Sequence, residues 1–252
     1  MIKNLKYLAS GLVTCWLLLG SATATAGSID IGAVLDNGTA VQQALTNGDI
    51  VGTKTNLSAA TFDAMSVTDL YNNFDVLLIG CCNSTNINVD WTTRLLPYLQ
   101  LGGGVVFEAP YNHHLAQLAP VITANLASVG GTGWTYDAVP GLTDNMTGNV
   151  VNGHMNISAY DSSLFTPFMY NFGTVQGLYG EIGTNGGRFV LTSPDNCLHG
   201  QNTSGSVQQN YQLCVNTLNW AGNGTSVPAP QGGFLLLLAL FGMLGFNSQR
   251  SA

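Results

Sequence analysis

Short apolar runs alternate with amphipathic helical patterns along most of the chain. A continuous run such as 75–80 (DVLLIG) predicts a strand buried on both faces, and runs with apolar positions three and four residues apart predict helices between such strands. Strands that alternate with helices form right-handed crossovers, and these give a mostly parallel sheet. The predicted strands are 28–35, 50–56, 75–80, 105–108 and 186–193, and the predicted helices are 39–46, 67–73, 90–101 and 206–221.

The stretch from about 130 to 180 does not follow this rhythm. It is rich in Gly, Asn and aromatic residues and has no long periodic segment. We therefore predict an irregular insertion with short strands and one helical turn near 161–168. Pro97 interrupts the helix predicted over 90–101, so a kink or a junction is expected there.

The first 26 residues have the pattern of a secretory signal peptide. Lys3 and Lys6 precede the apolar run 12–19, and the small residues 24–26 (ATA) form a cleavage site before Gly27. The apolar run is short of the roughly 20 residues that a membrane-spanning helix needs, so an uncleaved anchor is the weaker alternative. The sequence predicts an exported protein of a Gram-negative cell envelope, on the outer surface or secreted.

The last 26 residues have a different pattern. A Pro-rich and Gly-rich linker over 227–233 leads into the apolar run 234–246, followed by Arg250. Thirteen residues rise about 20 Å as a helix, less than the roughly 30 Å of a bilayer core. The segment resembles the PEP-CTERM sorting signals, and this resemblance implies an exosortase-type processing protease as partner and membrane contact through the tail. A plain tail anchor is the alternative.

Charge and cysteine content narrow the function further. All 13 acidic residues lie between Asp30 and Asp195, where only three residues are basic, so this part carries a net charge of −10 and nucleic acid is excluded as a partner. Export permits disulfides, and Cys197 with Cys214 is the candidate pair. Neighbouring Cys81 and Cys82 do not pair readily with each other, and one of them could instead reach Cys197.

The pattern over 27–226 resembles the class I glutamine amidotransferase-like fold, in particular its trehalose-utilisation-like branch. The resemblance implies a flavodoxin-like sheet flanked by helices. Catalytic members of that group place a cysteine in the sharp turn after the strand that corresponds to 105–108, where this chain has Glu108, Ala109 and Pro110. The resemblance therefore implies the scaffold without amidotransferase chemistry. The segments that carry it are 74–80, 102–107, 187–191 and 213–222.

Ligands of open parallel sheets bind beyond the carboxyl ends of the strands, and several polar residues fall there. Cys82 with His113 or His114 could form a thiolate–imidazole pair, but exported cysteines are usually oxidised. Carboxylates and histidines could also gather a metal, yet no ligand spacing is present, so we predict neither a metal nor a cofactor. The catalytic candidates are Glu108, Asp195 and His113, and the ligand-binding candidates are Asp36, Asn37, Cys82, Asn83, Glu108 and His199.

Two functions fit this pattern. The first is a non-catalytic envelope or extracellular-matrix protein with a binding or structural role linked to polysaccharide. The second is a secreted hydrolase of carbohydrate or amide bonds, with Glu108 or Asp195 as general acid or base and a histidine as its partner. The absent nucleophile and the sorting-type tail favour the first.

The tail yields a test from sequence alone. Its apolar run has no polar face, and the linker before it is extended by Pro228 and Pro230, so it should not pack on the domain. A chain that ends at Ser226 should unfold at the same temperature as the full chain, yet partition differently between membrane and medium. A melting temperature lowered by more than a few degrees would make the tail part of the core, and identical fractionation of both chains would show that it is not a sorting signal.

Overall fold

The computed structural model describes residues 27–35, 38–80 and 85–223. The predicted signal peptide (1–26) and tail (227–252) lie outside the described residues, as do Asp36, Asn37 and the segment 81–84, which holds Cys82 and Asn83. The ten strands are β1 Ile29–Val34, β2 Gly52–Leu57, β3 Val76–Ile79, β4 Gly104–Glu108, β5 Ile122–Val129, β6 Trp134–Tyr136, β7 Gly153–Tyr160, β8 Thr166–Asn171, β9 Thr174–Ile182 and β10 Gly187–Thr192.

Eight of these strands form one central sheet in the order β2-β1-β3-β4-β10-β9-β8-β6. The first five are parallel to one another, as predicted from the alternation of strands and helices. The last three are antiparallel, each paired with its neighbour. The chain therefore has a mixed α/β fold with a large central sheet flanked by helices, consistent with a flavodoxin-like arrangement.

The region predicted to be irregular holds four of the ten described strands. It contains β6, β8 and β9, and also β7, which pairs with β5 in a separate two-stranded antiparallel sheet. These strands are antiparallel, so they need no helices between them. The prediction of short strands is therefore confirmed, but their regular pairing was not foreseen, because no helical period marks the region. The helical turn is present at Asp161, whose carbonyl accepts the N–H groups of Leu164 and Phe165.

The central strands β3 and β4 are buried on both faces. Val76 and Leu78 belong to one core cluster, and the alternate residues Leu77 and Ile79 belong to the other. This is the period of two that a strand imposes on its side chains. Both faces of the parallel half are therefore covered. The helices are α1 Ala40–Asn47, α2 Ala59–Ala64, α3 Val67–Asn73, α4 Leu96–Leu101, α5 Asn112–Leu118, α6 Asn196–His199 and α7 Gly205–Gly222.

The helix predicted over 90–101 consists of a π-helical turn, Trp91–Leu95, that continues into α4. Pro97 lies in the first turn of α4, so the junction expected at this proline is present. Gly102 ends α4 in the left-handed conformation, with a φ of 110°. None of the helices in the described ranges is both long and apolar enough to cross a membrane.

Tyr98 on α4 gives a test of how the helices are held on the sheet. Its side chain is fully buried and its hydroxyl donates a 2.9 Å hydrogen bond to the carbonyl of Phe74. Tyr98→Phe keeps the ring but leaves that buried carbonyl without its donor, so the free energy of unfolding should fall by about 1–2 kcal/mol in urea titrations. Tyr71→Phe, at a partly buried tyrosine, is the control, and an equal effect of both changes would contradict the assignment.

Candidate functional site

The site lies where two neighbouring parallel strands end. In the register of β4 and β10, Glu108 is opposite Thr192, so the residues that follow both strands meet at one edge of the sheet. Ala109 follows β4, and residues 193–195 follow β10. This edge is the carboxyl edge, where open α/β sheets bind ligands.

A buried carboxylate is the centre of the site. Asp195 has no exposed surface, and its Oδ2 lies 3.2 Å from Nε2 of His154 and 3.2 Å from Nε2 of His199. The two imidazole side chains are 43% and 45% exposed. A carboxylate oxygen accepts hydrogen bonds, so each ring carries a proton on Nε2 when neutral, and Nδ1 is then its acceptor. Asp195 thus orients two half-exposed histidines.

Ser193 fixes His154 against the end of β10. Its hydroxyl oxygen accepts the backbone N–H groups of His154 and Met155, each at 3.0 Å, and the hydroxyl donates to the carbonyl of Met155 at 2.8 Å. These contacts attach β7, on which His154 lies, to the central sheet. His154 therefore has its backbone fixed by Ser193 and its ring fixed by Asp195.

A pocket opens beside His154, and we call it the edge pocket. Its volume is about 370 Å³, and none of the described residues that line it is Asp, Glu, Lys or Arg. Apolar side chains, one tyrosine ring, one hydroxyl and one imidazole form its walls. Such a surface suits a neutral ligand that has both an apolar face and hydrogen-bonding groups. The lining residues are Ala109, Pro110, Tyr111, Leu126, Ala127, Ser128 and His154.

The backbone is strained at the floor of the edge pocket. Ala109 has a φ of 40°, a value that non-glycine residues rarely adopt, and its N–H donates to the carbonyl of Thr192 at 2.8 Å. Leu35, at the carboxyl end of β1, has a similarly unusual φ of 61°. Strain of this kind collects at functional sites. A sharp turn therefore follows β4, but it carries a methyl group in place of a nucleophile.

Glu108 lies inside the protein and not in the edge pocket. It is 1% exposed, and its Oε2 accepts the backbone N–H of Cys197 at 3.0 Å. The structure thus places this predicted catalytic and ligand-binding residue behind the site, in contact with the loop that follows β10. Glu108 is opposite Thr192 but its carboxylate is directed to α6, so it does not line the pocket beside His154.

The candidate disulfide is present between Cys197 and Cys214, whose Cα atoms are 5.1 Å apart. This excludes the alternative in which Cys81 or Cys82 reaches Cys197. Among the described residues, Glu108 and these two cysteines are the set of three metal-ligand types whose donor atoms lie within 4.8 Å of one another. Sulfurs joined in a disulfide are not thiolates, so this set does not hold a metal ion in the oxidised protein.

His113 is not brought to Asp195. It lines a separate depression on α5, together with Asp63 and Gln117, and its ring stacks on Tyr111 with the centroids 5.9 Å apart. Of the residues predicted at this edge, Asp195 and His199 are in contact, whereas Asp36, Asn37, Cys82 and Asn83 lie outside the described residues.

His154 was not among the sequence-predicted site residues, because the region around it was assigned to an irregular insertion. The burial of β7 alternates over its first half, with Gly153, Met155 and Ile157 buried and His154 between them partly exposed. The alternation of 153–157 (GHMNI) is the signal in the sequence that could have indicated a strand with His154 on its polar face.

Comparisons with known proteins show the fold and no more. No protein-family model matches the sequence, and no curated protein is significantly similar to it. Among solved structures, the cytoplasmic protein STM1381 from Salmonella typhimurium LT2 superposes with a TM-score of 0.53 at 12% identity, covering 76% of this chain and 99% of its own. At this identity the similarity shows a shared fold alone.

Two further solved structures are less similar. The cytoplasmic protein STM3548 from Salmonella typhimurium gives a TM-score of 0.49 at 15% identity, over 77% of this chain and 98% of its own. A glutamine amidotransferase from Thermotoga maritima gives 0.42 at 8% identity, over 68% and 77%. TM-scores below 0.5 do not by themselves establish a common fold.

The buried residue His114, on α5, predicts an effect of pH on the stability of the fold. Burial, and secondarily the neighbouring His113, lower the pKa of His114 from 6.5 to about 4. Between these values the unfolded chain binds more protons than the folded chain, so stability should decrease as the pH falls from about 6.5 to 4. The loss should be on the order of 2–3 kcal/mol.

The measurement is urea unfolding at pH 7 and pH 4.5 of the native protein and of His114→Leu. The variant should show a smaller difference between the two pH values, because the leucine does not titrate. Leu118→Ala, at a buried residue of the same helix that does not titrate, is the matched control and should leave the pH dependence unchanged. An unchanged pH dependence in His114→Leu would contradict the assignment.

Proposed function

We propose that this chain is an exported envelope or matrix protein that binds a neutral glycan in the edge pocket. The observation that carries the proposal is the position of His154, which borders an uncharged pocket and is oriented by the buried Asp195. A preoriented hydrogen-bonding group on an otherwise apolar wall is typical of a binding site for small polar ligands.

The walls of the pocket match the chemistry of a sugar ring. A pyranose has an apolar face, which can pack on Tyr111, Pro110 and Leu126, and hydroxyl groups at its edge. When His154 donates its Nε2 proton to Asp195, its Nδ1 can accept a hydroxyl proton, and Ser128 can donate or accept. A ligand of this class uses both kinds of wall.

Electrostatics favour a neutral polymer over an acidic one. Between Asp30 and Asp195 the chain carries a net charge of −10, so a polyanion would be repelled. The arginines there are already engaged: Arg94 is buried against the ring of Phe62, and Arg188 pairs with Glu181 at 3.0 Å. Neither is available to neutralise an anionic ligand at the edge pocket.

The turn after β4 supports binding without acyl transfer. Ala109 has no nucleophilic atom. The next residue is Pro110, which has no backbone N–H and so cannot stabilise an oxyanion formed at this turn. Both components that acyl transfer would require at this position are missing from it.

Export is supported by three features. The first 26 residues have the pattern of a cleavable signal, the last 26 resemble a PEP-CTERM sorting signal, and the described part contains a disulfide. Disulfides persist in oxidising compartments. On this proposal an exosortase-type protease processes the tail, and the folded part remains at the outer surface or is released.

A secreted hydrolase is the second candidate, and the Asp195–His154 hydrogen bond favours it. A carboxylate that orients a histidine is the arrangement that general-base activation of water requires. In this form of the hypothesis His154 is the base and Asp195 is its orienting partner. Glu108 would have no direct role, because it is buried against the backbone of Cys197.

Binding to an array of neutral and acidic bacterial polysaccharides tests the first proposal. Neutral glycans should be retained, and His154→Ala should weaken binding about 5-fold to 10-fold, which is the loss of one hydrogen bond. His199→Ala is the matched control, because this ring contacts the same Asp195 oxygen but does not line the pocket. Its affinity should change less than about 2-fold.

Two results would contradict the binding proposal. One is retention of acidic polymers alone, and the other is an equal loss of binding in both histidine variants. Release of reducing ends from a retained glycan would instead support the hydrolase, and Asp195→Asn should then reduce the rate while binding persists. A bound glycan that stays intact over many hours, with the native protein in excess, would argue against the hydrolase.

A further inference from the structure

Asp195, His154 and His199 are the three polar side chains that meet at the sheet edge. Two of them, Asp195 and His199, lie in residues 195–199, which we call the Asp195 loop. Asp195 precedes α6 and His199 ends it, and α6 is only four residues long. A helix of this length has no stability of its own in water. Its position is therefore decided by the contacts that attach it to the rest of the protein.

Three different elements attach the Asp195 loop at one residue, Cys197. Its sulfur is bonded to Cys214 on α7, and its N–H donates to Glu108 at the end of β4. Its carbonyl oxygen is so close to Gly38, before α1, that a side chain at Gly38 would begin 2.1 Å from it. The disulfide is the covalent one of these contacts.

We infer that the Cys197–Cys214 disulfide positions Asp195 against His154, so that the site is assembled only in the oxidised protein. Reduction by a dithiol breaks the S–S bond. Two electrons and two protons pass from the dithiol to the two cysteine sulfurs, and the dithiol becomes a cyclic disulfide. The Asp195 loop then keeps only non-covalent contacts, including the 3.0 Å hydrogen bond between the Asn196 side chain and Thr192.

The contacts of Asp195 are sensitive to a movement of the loop, because both imidazole rings bind the same carboxylate oxygen, Oδ2. Each Nε2 lies 3.2 Å from Oδ2, near the upper limit for a hydrogen bond. A displacement of the loop by about 1 Å would break the contact to His154. The backbone of His154 is held by residues that precede the loop, through its hydrogen bond to Ser193 and the bridge between Gly153 and Pro194. His199 moves with the loop, so its contact to Asp195 should be less affected.

The consequence is an asymmetric response of the two histidines. This inference goes beyond the proposed function, since it concerns the assembly of the site and not the identity of the ligand. A protein exported to an oxidising compartment would thus acquire its pocket-side hydrogen bond only after export. In a reducing compartment the same chain would fold without it.

Long-range proton–nitrogen NMR of histidine-labelled protein tests the inference without any ligand. In the oxidised protein, the neutral ring of His154 should carry its proton on Nε2, in the hydrogen bond to Asp195. After reduction with dithiothreitol, verified by counting free thiols, its signals should move to those of a solvent-exposed imidazole, and the shift of His199 should be smaller. Circular dichroism should show that the secondary structure is retained.

Two variants separate positioning from a general loss of stability. The double substitution Cys197→Ala with Cys214→Ala should reproduce the His154 signals of the reduced protein. Leu70→Ala removes a buried side chain on α3, away from the Asp195 loop, and should destabilise the fold while leaving the His154 signals unchanged. If the double variant does not fold, reduction of the native protein at low temperature provides the same comparison.

The inference is overturned if the tautomer and shifts of His154 are the same in the reduced and oxidised protein, or if Leu70→Ala alters them as much as reduction does. Because the readout contains no glycan, its outcome is independent of the binding assay. Loss of glycan binding on reduction, with His154 unchanged, would also count against positioning by the disulfide.

Discussion

The pairing of β10 with two unlike neighbours is the constraint on which the site depends. On one side β10 is parallel to β4, and on the other it is antiparallel to β9, so it joins the parallel and antiparallel halves of the sheet. Its residues are buried except for Arg188, which is partly exposed. A central strand of this kind has little freedom to shift its register. The point at which the chain leaves the sheet after Thr192 is therefore fixed, and the Asp195 loop starts from that point.

A buried carboxylate then determines the chemistry of the edge. Removing Asp195 from water costs several kcal/mol unless hydrogen bonds compensate. Two imidazoles provide partners, and they come from elements that sequence does not place together: His154 from β7 in the antiparallel part, and His199 from the loop after β10. The half-exposed rings connect the buried charge to solvent, and one of them borders the edge pocket. The buried Asp195 therefore sets the orientation of a half-exposed histidine, His154, at the surface.

The remaining features of the protein agree with recognition of a neutral ligand. In the part of the chain that the structure describes, no Asp, Glu, Lys or Arg lines the pocket, and the acidic character of the domain opposes anions. Ala109 and Pro110 keep a strained turn after β4 while lacking the groups that acyl transfer would use there. Cys197 is bonded to Cys214 and donates its N–H to Glu108, and these contacts lie behind the pocket and not in its lining. Binding, assembly and export are in this way linked proposals that separate experiments can test.

The sequence by itself determined the parallel half of the fold. The apolar run 76–79 is a strand because every residue in it is buried on one face of the sheet or the other, and this pattern can be read locally. The sharp turn after β4 was implied by the resemblance to the amidotransferase-like fold, and Cys197 with Cys214 was the candidate disulfide, which the structure contains. Only the tertiary structure decided that 130–180 forms antiparallel strands, that Glu108 faces inward, and that His154 meets Asp195. The last two outcomes depend on contacts between residues 41 and 89 positions apart, and contacts at such separations leave no local periodicity in the sequence.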